Sequence, residues 1–448
     1  MLLRYLVSNF KSIGHKIGFS MFPTKENQDE RYLTKITTRV GEWNVLRRGA
    51  FFGPNASGKS VFIESMEYAR NFIVEGKKSG KNTGVEQFDG NIEELFQLTT
   101  FQFMLYVDGE VYDYGFALDR NKVHEEWLMI LDKKGFQKMF ERQTNKEGKT
   151  EIEITSKFAR RGSKQRELVE ILKESMQENQ KNQLFLYKLY DNGAKRVENI
   201  IKWFENIQII YPGTKFQGLP VRVKLNDKFK DFLSQKLDEM DTGVQEIFTS
   251  SDEMELRKVA KKMDIPEEIV TEIEQKEKGV ISFNGKYFIF LGKDNNTVLM
   301  QLKFKHLLNN VECDFEIEQE SDGTQRLLDL LPMLFQVSNN SDSIYLVDEL
   351  DRSLHTKLSK YLLTKFIEES ENSRSQIIFT AHDVNLINLD DFRQEEIWFI
   401  EKNSLGESKI KPFSDFSVKK GQNLLQDYLN GRFGAVPVIR RSGYGADK

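Results

Sequence analysis

Residues 53–60 read Gly53-Pro54-Asn55-Ala56-Ser57-Gly58-Lys59-Ser60 and fit the pattern G-x-x-x-x-G-K-[ST]. Glycines let the backbone curl so that successive amides face one phosphate, and a helix that follows adds its unpaired N-terminal amides. In such a loop Asn55, Ala56, Ser57 and Gly58 wrap the phosphates of ATP, Lys59 brings a point charge to the β and γ groups, and the Ser60 hydroxyl binds Mg2+.

A second constellation is the apolar run Ser343-Ile-Tyr-Leu-Val that stops at Asp348-Glu349. A buried strand ending in adjacent acids places charge at the carboxyl edge of a parallel sheet, where ligands bind. There Asp348 would hold Mg2+, largely through water, and Glu349 would orient and deprotonate an attacking water. The blander reading, solvated acids at a strand end, loses ground once the phosphate loop stands beside it. Further on, Ile377-Ile-Phe-Thr-Ala-His382 sets an imidazole just past another strand, where it could position water and sense a γ-phosphate. Between loop and acids, Glu320-Ser321-Asp322-Gly323-Thr324-Gln325 opens a helix with free amides suited to a phosphate, although Ser321 reads equally well as an N-cap.

The elements around these residues predict an α/β fold. Leu2 to Val7 alternate as a strand, residues 45–52 form a second run, and the phosphate loop turns into a helix reaching about Ile73. Residues 101–140 are aromatic and β-branched, with hairpin signals at Asp108-Gly109 and Lys134-Gly135, which predicts an antiparallel β subdomain. Apolar residues then recur at three and four positions, as in Leu168, Ile171, Leu172 and Phe229, Phe232, Leu233, Leu237, so 156–279 reads as a helical insertion. Strands at 286–291 and 297–304, a helix at 323–337, a strand at 344–347, a helix at 355–369 and a strand at 376–380 restore the alternation of a mostly parallel core sheet. The organisation expected is one half of a nucleotide-binding head over 1–155, the insertion over 156–279, the second half over 280–437, and a flexible tail over 438–448.

Composition narrows the classes. Hydrophobic residues make up 39% and charged residues 30% of the 448 positions, with no apolar run long enough for a membrane span and no secretory signal at the start, so a cytoplasmic protein is expected. Cys313 is the only cysteine, which excludes intrachain disulfides and cysteine zinc sites. A formal net charge of −4 gives no global pull toward nucleic acid. The cluster Lys157, Arg160, Arg161, Lys164 and Arg166 leaves a local nucleic-acid contact open, but Glu167, Glu170, Glu174 and Glu178 follow it and read as a solvated mixed-charge helix.

The order of phosphate loop, Ser321-Asp-Gly-Thr-Gln, Leu346-Val-Asp-Glu-Leu-Asp351 and Thr380-Ala-His382 resembles ABC-type ATPase heads of the SMC, RecF and OLD group. Similarity is greatest to stand-alone ATPases of prokaryotic phage-defence operons, such as those of the RloA, AbiLi and PARIS systems, whose tails resemble Tyr428-Leu-Asn-Gly-Arg-Phe-Gly-Ala-Val-Pro437. The resemblance implies an ATPase that works as a homodimer or higher assembly. In it Ser321, Gly323 and Gln325 act on the partner's ATP, Asp351 couples the two sites, Gln97 reaches the metal, and Lys11 approaches the nucleotide. Asp322 and Thr324 depart from the usual leucine-serine-glycine-glycine-glutamine signature. It further implies a separately encoded effector as partner and no membrane. A DNA-repair or DNA-end-binding ATPase is the alternative, and an OLD-type nuclease is disfavoured because the residues after His382 are few for an appended domain.

Overall fold

The computed structural model describes residues 1–24, 30–76, 81–90, 98–145, 149–176, 182–216, 218–263, 266–274, 278–283, 286–291, 296–418 and 424–436. They fall into two compact units, one of residues 1–211, 340–351 and 363–448, the other of residues 212–339 and 352–362.

The first unit opens with β1 (Leu2–Ser8) and β2 (Ile17–Ser20), an antiparallel pair, followed by the hairpin β3 (Leu33–Thr38) and β4 (Gly41–Leu46). The chain then enters a different sheet as β5 (Arg48–Phe52). The run expected as one strand over 45–52 thus breaks at Arg47. Its buried guanidinium donates to the carbonyls of Leu33 and Ser370, and these bonds hold the crossing from one sheet to the other. Every residue of β5 is buried, as befits a central parallel strand, and it delivers the chain into the phosphate loop. Helix α1 (Lys59–Val74) follows and buries Phe62, Ile63, Met66, Ala69, Phe72 and Ile73, a stripe at helical spacing.

Strands β6 (Thr99–Val107), β7 (Glu110–Leu118), β8 (Val123–Asp132), β9 (Gly135–Thr144) and β10 (Thr150–Ile154) form the expected antiparallel subdomain and extend through β6 onto β1. Asp108 and Gly109 both take positive φ, 50° and 82°, the mirror-image turn that matches strand twist. Helices α2 (Lys164–Ser175), α3 (Phe185–Asp191) and α4 (Lys195–Glu205) share the core of this sheet, with Phe204 edge-on to Phe103 at 5.1 Å and Phe185 edge-on to Phe140 at 5.2 Å. Glu126 of β8 is fully buried and accepts the Phe185 and Leu186 amides at 2.6 and 2.8 Å, doing for α3 what an N-cap side chain does.

Residues 156–279 are therefore helical for only part of their course. After α4 the chain returns to strand as β11 (Ile207–Ile210), which runs parallel to β17 (Ile344–Val347) in the central sheet. Four consecutive apolar or amide residues, Ile207-Gln-Ile-Ile210, are too short to show a period, so the sequence does not separate this strand from the helices before it.

In the second unit, α5 (Leu219–Leu225) and α6 (Asp227–Glu239) precede β12 (Val244–Glu255), α7 (Leu256–Met263) and α8 (Glu267–Glu274). Strands β13 (Lys278–Phe283), β14 (Lys286–Leu291), β15 (Asn296–Leu308) and β16 (Val311–Glu316) follow, and β15 pairs antiparallel with β12 along most of its length. Helix α9 (Asp322–Ser338) packs Phe335 against Phe229 of α6 at 4.9 Å.

The central sheet has the order β11-β17-β18-β5-β19-β20, where β18 is Gln376–Ala381, β19 is Ile397–Lys402 and β20 is Ser408–Pro412. All neighbours are parallel except β20, an antiparallel edge strand on β19. Helix α10 (Thr356–Glu369) lies between β17 and β18 in sequence, its residues divided between the two units, and α11 (Leu424–Leu429) precedes the last described residues. Gln376 fastens β18 to both neighbouring layers, accepting the Leu2 amide at 2.6 Å and donating to the carbonyls of Leu2 and Leu46 at 3.0 Å each.

Candidate nucleotide site

The carboxyl ends of β5, β17 and β18 are adjacent in a parallel sheet, so the loops that leave them converge. After β5, Ala56 and Gly58 adopt positive φ, 61° and 107°, and the backbone closes on itself through the Ser57 amide and the Pro54 carbonyl. A side chain at Gly58 would sit 2.1 Å from the Ser408 hydroxyl, and one at Gly53 would sit 2.1 Å from the Ile400 carbonyl oxygen. Both loop glycines are required by close approach, and Gly58 by its left-handed backbone as well.

Lys59 is 5% exposed, and its ammonium donates to the carbonyls of Gly53 and Pro54 at 2.7 and 3.1 Å. Burial lowers its pKa from the ordinary lysine value, while Asp348, Glu349 and Asp351 act in the opposite direction. It also meets Nδ1 of His382 at 3.4 Å. An ammonium has no lone pair, so Nδ1 is the acceptor, and a neutral imidazole then carries its proton on Nε2, 3.4 Å from Oε1 of Glu349.

Thr380 organises both acids. Its hydroxyl donates to Oδ1 of the buried Asp348 at 2.6 Å and accepts the Glu349 amide at 2.8 Å. Glu349 takes a φ of 47°, which turns the chain sharply off the strand end and leaves the side chain half-buried in the same cavity as His382. Asp351 accepts the amides of His382 at 3.0 Å and Asp383 at 2.6 Å, fixing the turn that presents the imidazole.

A cavity of about 780 Å3 runs along Asn55, Ala56, Ser57, Gly58, Lys59 and Ser60 to Glu349 and His382. Lys11 reaches the same cavity at a φ of 48°, but its ammonium is bound to Glu64 at 2.9 Å. Gln97 lies outside the described residues. Ser321 caps α9, accepting the Thr324 amide at 3.1 Å, and Gln325 donates to the Glu320 carbonyl at 3.1 Å. Gly323 has an intrachain reason to lack a side chain, since a Cβ there would lie 2.9 Å from the Ser353 carbonyl oxygen. All three belong to the second unit.

As for Mg2+, Ser60 and Asp348 are hard oxygen donors, and among the described residues no cluster of three or more His, Cys, Asp or Glu forms a cage of its own. That sparse donor set fits a cation that keeps waters and is completed by substrate phosphates.

The family described as "AAA domain, putative AbiEii toxin, Type IV TA system" matches residues 50–388, from β5 through the phosphate loop and both acids to beyond His382. The chain belongs to this AAA-domain family. No characterised protein matches significantly. Among solved structures, this chain is similar to an SMC head bound to the C-winged helix domain of ScpA, at 13% identity over 94% of this chain and 98% of that one with a TM-score of 0.42. It is also similar to the SMC head of Thermotoga maritima, at 13% identity over 93% and 99% with a TM-score of 0.36. A third is the SMC head with extended coiled coil, bound to the C-terminal domain of ScpA, from Pyrococcus furiosus, at 13% identity over 92% and 95% with a TM-score of 0.38. Among the described residues no helix is long and apolar enough to cross a membrane.

Two residues that hold this site carry no motif signal of their own. Thr380 stands inside Thr380-Ala-His382, where its role shows only once β17 and β18 are known to be neighbours. Ser408 donates its hydroxyl to the Ser57 carbonyl at 2.8 Å from a strand 351 positions away in sequence. Long-range partners of this kind leave no local pattern.

Proposed function

We propose that this AAA-domain protein hydrolyses ATP with Mg2+ and uses the reaction to control a separately encoded effector in a phage-defence system of the RloA, AbiLi and PARIS kind. The observation that carries the ATPase reading is the chain of contacts from Lys59 through His382 to Glu349, each step 3.4 Å, at the mouth of the phosphate loop. Lys59 supplies charge to the phosphates, and loop amides orient them. Glu349, aimed by its left-handed backbone and held by Thr380, accepts a proton from water, while Nε2 of His382 keeps that carboxylate in place. Bound Mg2+ at Ser60 and Asp348 would draw negative charge off the phosphates during transfer.

The signature residues Ser321, Gly323 and Gln325 are read as acting on nucleotide held by a second copy, with Asp351 coupling the two sites, which makes a homodimer the smallest active assembly. The regulatory role draws support from the toxin–antitoxin description of the family. A nucleic-acid role is weakened at the basic cluster, where Lys157 is spent on Asp132 and Arg166 on Glu170. The test is turnover of ATP by purified wild-type and Lys59→Ala protein, with identification of what co-purifies when neighbouring genes are co-expressed. Turnover indifferent to Lys59→Ala would overturn the ATPase reading, and a chain that cleaves DNA or RNA alone would overturn the effector reading.

A further inference from the structure

The cavity along the phosphate loop must accept a polyanion, yet most cations on its wall are already engaged. Lys59 is held by the Gly53 and Pro54 carbonyls, Lys11 by Glu64, and Arg120 faces Asp89 at 3.9 Å. Glu86, Asp89 and Glu349 add negative charge to the same wall. Lys402 is the exception. It lines this cavity, is exposed, and among the described residues its ammonium has no hydrogen-bond or ion-pair partner.

Its direction follows from the sheet. Lys402 at the end of β19 is the register partner of Ser408 at the start of β20. Residues directly opposite in an antiparallel pair send their side chains to the same face. Ser408 uses that face to reach the phosphate loop, donating to the Ser57 carbonyl at 2.8 Å and lying so close to Gly58 that no Cβ fits between them. Lys402 therefore rises over the same loop.

The residue before it is anchored the other way. Glu401 accepts the Ala435 amide at 3.1 Å and pairs with Lys411, and Gly434 packs so closely that a Cβ would stand 2.4 Å from its carboxylate. Tyr428 closes the same C-terminal loop by donating to the Ala435 carbonyl at 2.6 Å, and Phe433 stacks on Phe399 of β19 at 5.7 Å with 2° between ring planes. The loop over Gly431 to Ala435 thus clamps the end of β19, and the clamp leaves Lys402 facing the cavity.

Resting on the nucleotide-site reading above, we infer that Lys402 is a second phosphate-binding lysine, contacting the bound nucleotide in the same chain as Lys59, and that the C-terminal loop is the brace that positions it. A charge-assisted contact of this kind should be worth about ten- to a hundredfold in affinity.

The experiment is titration of the full chain with ATP, ADP and AMP in the presence of Mg2+. Wild type is compared with Lys402→Met, Lys402→Arg and Lys59→Ala, each checked for an unchanged unfolding midpoint. Lys402→Met should weaken ATP and ADP about ten- to a hundredfold, leave AMP nearly unaffected, and be rescued to within a few-fold by Lys402→Arg. ATP binding at wild-type strength in Lys402→Met, with Lys59→Ala impaired, would overturn the assignment while leaving the nucleotide site standing. Equal losses for ATP and AMP would overturn a contact to the β or γ phosphate, since AMP keeps the α phosphate, the sugar and the base. No effect from Lys59→Ala would remove the nucleotide-site reading itself.

Discussion

The hydroxyl of Thr380 donates to Oδ1 of Asp348 across 2.6 Å, joining the ends of two neighbouring parallel strands at the point where both leave the sheet. Because the same oxygen accepts the Glu349 amide, one side chain sets the position of both acids. Thr380→Val keeps the shape and removes both bonds. The expected cost is about 1–3 kcal/mol of stability, with a fall in ATP turnover larger than the loss of ATP affinity. Denaturant titration and steady-state kinetics check it; unchanged turnover would show that the acids hold their places without Thr380.

Glu349→Gln keeps the size and the backbone turn of the wild-type residue but removes the base. Binding of ATP with Mg2+ should persist within a few-fold, while turnover should drop by about two to four orders of magnitude. Equilibrium binding beside single-turnover hydrolysis separates the two effects. Hydrolysis at near wild-type rate would reassign the base.

The parts of this site that the sequence discloses are those whose chemistry is local. Glycines at 53 and 58 with Lys59-Ser60, an apolar strand closing on Asp348-Glu349, and a histidine past the next strand each carry their signal within a few residues. The parts it hides depend on strand neighbours distant in sequence. Arg47 breaks an apparently continuous strand because its partners lie at Leu33 and Ser370, and β11 is four residues sharing a segment with helices. Lys402, Ser408 and the C-terminal loop come to the phosphate loop only through the pairing of β19 with β5 and β20. Lys11 shows the converse, a residue near the nucleotide by resemblance whose charge is engaged by Glu64 one turn into α1.

The structure also changes how a trans signature should be tested. Substituting Gly323 would strain the chain's own contact with Ser353, so loss of activity there would not report on a second copy. Ser321→Asp is cleaner, since aspartate also caps a helix and keeps a partner for the Thr324 amide, while its charge opposes a phosphate. Unfolding should move by no more than about 0.5 kcal/mol. ATPase activity should fall in Ser321→Asp alone and recover in part when that protein is mixed with Lys59→Ala, because each mixed dimer contains one site free of both changes. No recovery despite demonstrated subunit exchange would place the signature in cis or outside the reaction.

Glu407 is 2% exposed beside the phosphate loop, one residue before Ser408. Burial alone would raise its pKa, but the His15 amide at 2.5 Å, Lys409 at 3.0 Å and the His15 ring outweigh it and hold the carboxyl down at about 2 against an ordinary 4.5. A folded-state pKa below the unfolded one means the stabilisation is fully present above about pH 4.5 and is lost as pH falls toward 2. Wild type should therefore exceed Glu407→Gln by up to about 3 kcal/mol at neutral pH. That gap should narrow steadily as the pH drops below 4.5. Denaturant midpoints of both proteins between pH 7 and pH 3, at roughly half-unit steps, check the sign as well as the size. A gap that is constant across this range would mean that the carboxylate acts through shape alone, and one that widens in acid would mean that its protonated form is the stabilising one.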